Sequence, residues 1–77
     1  MWEVIGYEIG RNEAGEITGI ALYCSKPLSG DNAEGHKVCR EWYRPGNVDY
    51  RPALGDQIVI CKEDFGKYQV ITEIIKM

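Results

Sequence analysis

The residues best suited to chemistry in this chain lie between His36 and Pro52. There Lys37, Arg40, Arg44 and Arg51 alternate with Trp42, Tyr43 and Tyr50. Glu41 and Asp49 are the acids of that stretch, so it is net +2 inside a chain that is net −3. Cations interleaved with rings suit a single nucleic-acid strand: charges track the phosphates, and flat faces take the bases. Lys26, at the start of the preceding loop, is a fifth candidate for phosphate contact.

Each of these residues also has a plainer reading. A tryptophan on a strand in a small domain is more often core than platform. If Trp42 points inward, alternation turns Tyr43 outward and makes it the better stacker. Tyr50, in a loop between Asp49 and Arg51, is expected to be the most exposed of the three rings. The arginines could equally be a solvated surface. The sequence pI near 5.0 runs against a dedicated binder unless the acids lie on another face.

Other chemistry has less support. Cys24, Cys39 and Cys61 are odd in number and contain no Cys-x-x-Cys spacing, so they describe no disulfide framework. With His36 they would make four zinc ligands in principle, but the paired knuckle spacing is missing and buried thiols pack as small apolar groups. No metal or other cofactor is expected. One histidine, no nucleophile motif and no glycine-rich phosphate loop argue against an enzyme. The N-terminus shows no signal-peptide pattern and no run is long enough to cross a bilayer. A cytoplasmic location is expected.

The elements that must position these groups read as strands. Residues 1–77 make one domain. Trp2–Ile9 alternates around Gly6, which marks a bend or bulge. Ile17–Cys24 places Thr18, Ile20, Leu22 and Cys24 on one face. The small Gly19 and Ala21 on the other leave room beside Tyr23 for a neighbouring ring or a ligand. His36–Tyr43 mixes polar and apolar groups on both faces, as an edge strand does. Arg44-Pro45-Gly46-Asn47 reads as a type II turn. Gln57–Lys62 reads as a buried strand, Glu63-Asp64-Phe65-Gly66 as a hairpin turn with Gly66 at positive φ, and Lys67–Lys76 as the last strand. No ten-residue window has a helical period. Five short strands favour an all-β, OB-like barrel, because closure protects edges, and a core this small favours a homodimer.

Leu54-Gly55-Asp56-x-Ile58-x-Ile60, followed by Phe65-Gly66-Lys67 and a closing strand, resembles the C-terminal hairpin of small single-stranded-DNA-binding proteins of phages and conjugative elements, the helix-destabilising type. The resemblance covers mainly the last third of the chain. It implies an OB-like, usually dimeric fold that binds single strands without sequence preference through aromatic and basic side chains. The competing expectation is a protein-interaction module or an accessory protein of a mobile element, because Trp, Tyr and Arg also compose interface hot spots.

Overall fold

A computed structural model describes all residues, Met1–Met77, and is all-β. Five strands run β1 Trp2–Arg11, β2 Ile17–Pro27, β3 His36–Tyr43, β4 Gln57–Phe65 and β5 Tyr68–Lys76. They form one antiparallel sheet in the order β3-β2-β1-β4-β5. Joining β3 to β5 would close that order into a five-stranded OB-like barrel. Here the sheet curls toward closure but leaves that seam open. There is no helix, so none long and apolar enough to cross a membrane.

Three one-residue irregularities set the curl, and each changes which residues share a face. One of them, between Gly10 and Arg11, leaves Thr18 as the extra residue and sets Ile17 opposite Arg11, so Ile17, and not Thr18 as simple alternation has it, shares the Ile20 face. A bulge at Ile5 puts Val4 opposite Cys24 and Tyr7 opposite Leu22. Trp2, Val4, Tyr7 and Ile9 therefore line the inner face together. The expected bend near Gly6 is this bulge, and it overturns simple alternation, which separates Val4 from Tyr7 and Ile9. The third, near Thr72, brings Ile71 and Ile74 to the same inner face, where uninterrupted alternation would part them. A bulge adds one unpaired residue and sharpens local twist, so each one re-aims everything beyond it.

The core gathers Val4, Ile20, Leu22, Cys24, Ile58, Ile71 and Ile74 with Tyr43, Val48 and Tyr50. Leu22 and Ile58 have no exposed surface. A buried leucine or isoleucine contributes about 1.5–3 kcal/mol, and truncation to alanine costs about 2–5 kcal/mol. In a domain with so few buried residues, Leu22→Ala removes much of the stability. β4 is less buried than its β-branched run suggests: Ile58 alone is enclosed, and Val59 faces solvent. The reason is that β4 pairs with β1 only at Trp2–Ile58 and Glu3–Gln57. The rest of β4 leaves the sheet as a long hairpin with β5.

Residues 44–56 fold over the inner face as a lid. Asn47 N–H donates to the Arg44 carbonyl at 2.9 Å, as a turn requires. Gly46 has no positive φ, so the turn is not type II. Val4 then anchors the far end of the lid: its N–H donates to Asp56 O at 2.9 Å and its carbonyl accepts from Gly55 N–H at 2.8 Å. Gly66 does adopt a positive φ of 70°, but β4 continues to Phe65, so the turn is Gly66-Lys67 and Phe65 belongs to the strand.

Candidate nucleic-acid interface

β3 presents its two faces to different environments. Glu41 and Tyr43 point inward with their register partners Leu22 and Ile20. Arg40 and Trp42 point outward, opposite Tyr23 and Ala21. Trp42 is 48% exposed, whereas Tyr43 is 3% and Tyr50 9% exposed. The expectation that Tyr43 and Tyr50 are surface rings is therefore corrected: both are core, and Trp42 is the exposed ring of the three.

The lid explains the inversion. Tyr43 O–H donates to the Tyr50 carbonyl at 2.9 Å, and Tyr50 O–H donates to Asp56 Oδ2 at 2.7 Å. Asp56 Oδ1 lies 3.5 Å from Lys76 Nζ. This relay pins the lid to the barrel and satisfies both buried phenols, as burial demands. Burial pushes the Tyr43 hydroxyl up to about 12. Burial and the Asp56 carboxylate push Tyr50 up as well. The hydrogen bond from Tyr50, with Lys76 nearby, holds the Asp56 carboxyl below the usual range.

Trp42 is seated by two small residues. A β-carbon placed on Gly19 would come within 2.4 Å of the indole, so the ring lies in the notch that Gly19 leaves, over the buried Ala21. The room beside Tyr23 is filled by a neighbouring ring. Arg44 sits against the same indole, 5.6 Å from its centroid. Arg40 sits 6.0 Å from the Tyr23 ring, whose hydroxyl donates to Glu8 at 2.5 Å. Arg40, Trp42 and Arg44 thus alternate cation, ring, cation on one face, with neighbours about 6.6 Å apart along the chain. None of the arginines is ion-paired: both salt bridges in the chain use lysines, Lys62–Glu41 at 2.7 Å and Lys76–Asp56.

Beside this row lies the open seam of the barrel. A cleft of about 470 Å³ runs between β3 and the start of β5, with Trp42 and Arg44 on one wall and Gln69 and Val70 on the other. Lys62 reaches across it to Glu41. Beyond the cleft, the hairpin tip carries Phe65 and Tyr68, both exposed, with centroids 6.4 Å apart and planes 25° from parallel. The turn reading hid this pair. The signal was present in Phe65-Gly66-Lys67-Tyr68, where two rings flank a turn that places them opposite each other.

The remaining candidates are not in this cluster. Lys26 and Lys37 face each other across β2 and β3 at the other end of the strands, and Lys26 Nζ lies 4.6 Å over the Trp2 ring. Arg51 is exposed on the lid, beside Tyr7, Arg11 and Pro52. The eight proposed residues divide into an outer row (Arg40, Trp42, Arg44), a core pair (Tyr43, Tyr50), a distal pair (Lys26, Lys37) and Arg51 alone.

No three His, Cys, Asp or Glu side chains come together as a metal site would need. Cys24 and Cys39 are register partners. Burial pushes the Cys24 thiol up to about 12 and raises Cys39 too, so both stay protonated at neutral pH. Comparison with known families, with curated proteins and with solved structures finds no match.

Proposed function

We propose that this protein binds single-stranded nucleic acid without sequence preference, on the outer face of β2 and β3. The observation that carries the reading is Trp42, half exposed in the Gly19 notch between two arginines free of carboxylate partners. The row fits one base on the indole and the phosphates on either side of it. The seam cleft leads from there toward Phe65 and Tyr68, a second stacking position with Lys67 between them. By fold-level analogy, OB-type barrels use the strand 2–3 face and the loop between the last two strands for such ligands. Residues 36–52 are net +2 in a chain that is net −3, and the two carboxylates beside the row are held by other groups, Glu8 by the Tyr23 hydroxyl and Glu41 by Lys62.

An anisotropy titration of the chain with a labelled oligo-dT tests the proposal. Binding that weakens steeply with added salt supports it, because each neutralised phosphate of a single strand contributes a slope of about −0.7 in log K against log salt. Absence of binding at low salt refutes it and leaves the aromatic surface to a protein partner.

A further inference from the structure

The molecule is more open than its mass requires. A compact 8.7 kDa monomer exposes about 4,700 Å², yet this chain exposes 5777 Å². Its radius of gyration is 13.9 Å against about 11.5 Å for a compact domain of this length. The excess, about 1,000 Å², is close to the roughly 800 Å² that each partner contributes to a standard interface.

Part of that excess lies along one edge. β4 leaves β1 after Glu3, and Val4 uses its N–H and carbonyl on the lid residues Gly55 and Asp56. Beyond the bulge, Tyr7 and Ile9 take the same register type with β2 that Val4 does, opposite Leu22 and Ile20 as Val4 is opposite Cys24. Their N–H and carbonyl groups therefore point away from β2. Between Gly10 and Arg11 the register shifts by one residue on β2, at Thr18; Asn12 N–H then donates to the Glu16 carbonyl at 3.0 Å, so Arg11, one residue before it, turns its own groups away from β2 as well. No element pairs with them there. The side chains above that edge are apolar: Tyr7 is 41% and Ile9 42% exposed. An unpaired edge with apolar side chains and neither proline nor lysine is a template for another strand.

We infer that this edge is a homodimer interface, in which β1 pairs antiparallel with β1 of a second copy about a twofold axis at Ile9. The sequence singles out that register. Centring on Tyr7 would need Glu3, which already pairs with Gln57. Centring on Arg11 would set like charges opposite each other, which is destabilising. Centring on Glu8 or Gly10 would use backbone groups that face β2. With Ile9 on the axis, Ile9 meets Ile9, Tyr7 meets Arg11 as a ring meets a cation, and Glu8 meets Gly10, which has no side chain to oppose it. Tyr7, Ile9 and Arg11 of both copies then form about six backbone hydrogen bonds, and the symmetry is that of most small oligomers. The inference does not depend on nucleic-acid binding, because it uses the backbone edge of β1 that faces away from β2, whereas the Trp42 row lies over β2 and β3 on the outer face.

Light scattering coupled to size exclusion, together with amide hydrogen exchange on the wild-type chain, tests it. The expected result is twice the 8.7 kDa chain mass, with slow exchange at Tyr7, Ile9 and Arg11 that is lost on dilution. Ile9→Lys, which sets two ammonium groups opposite each other, is expected to give a folded monomer. A wild-type monomer at 100 µM, on the order of working protein concentrations, would overturn it. So would fast exchange at those three amides in a dimer, or a folded Ile9→Lys chain that keeps the dimer mass. If Ile9→Lys does not fold, the wild-type exchange pattern decides.

Discussion

Replacing Gly19 with alanine separates the Trp42 platform from the stability of the fold. Gly19 has no positive φ, so an alanine backbone is allowed there and the unfolded chain loses some entropy, worth about 0.4–1 kcal/mol in favour of folding. The new methyl group, however, would sit 2.4–2.5 Å from three atoms of the indole. Ordinary contact needs about a further 1 Å or more, and Ala21 beneath the ring prevents it from sinking. The indole must leave its notch and, with it, its place between Arg40 and Arg44. One base stacked on an aromatic side chain is worth about 1–3 kcal/mol, so affinity for oligo-dT should fall about 5- to 150-fold. Melting temperature should change little. The assay is an anisotropy titration beside a thermal melt, with Trp42 emission reporting that the ring has moved. Affinity within about twofold of wild type, with the emission shifted, would refute the reasoning, since the platform would then be displaced without consequence.

Further outcomes follow from the lid and the arginine row. Tyr43→Phe removes a buried hydrogen bond to the Tyr50 carbonyl and should cost about 1 kcal/mol, or about 4–8 °C in Tm, with oligonucleotide affinity unchanged; a melt and a titration check both halves. The folded pKa of Tyr43, about 12, lies above the ordinary value of 10.0, and Tyr50 is raised in the same direction. Their stabilisation is thus complete below about pH 10 and is lost as pH rises toward 12, which a series of melts at alkaline pH should show. Asp56 is lowered, so its contribution is present above its unfolded pKa near 4 and is lost as pH falls through the folded value; Asp56→Asn should flatten the acid limb. Arg44→Ala should reduce the salt slope of oligo-dT binding by about 0.7, read from titrations at several salt concentrations.

The strands were legible because glycine-rich breaks separate β-branched runs, and His36–Tyr43 is bounded as its pattern predicts. Faces were legible only between bulges. One extra residue at Ile5, one at Thr18 and one near Thr72 each invert the parity beyond them, and the only sequence marks are the neighbouring Gly6 and Gly19. Alternation places Trp42 and Tyr43 on opposite sides but does not say which side is inside. That choice belongs to the lid, where Val48 and Tyr50 come down on Tyr43 from several residues away. The local clue to the seat of Trp42 was Gly19 with Ala21: two small residues on one strand leave space for a large ring on its neighbour. Arg51, adjacent to Tyr50, ends up apart from Arg40 and Arg44 because Tyr50 turns in to reach Asp56. Replacing Tyr50 with alanine therefore measures the fold and says nothing of a binding surface.

Whether a strand lies on the Trp42 indole is read from its emission in a Trp2→Phe chain during titration with oligo-dT at low and at high salt. Saturable quenching is expected at low salt, as bases cover the exposed indole, with a large loss of affinity at high salt. Emission that stays constant while the oligonucleotide binds would place the strand elsewhere on the protein, and constant emission with no binding would rule out nucleic acid as the ligand.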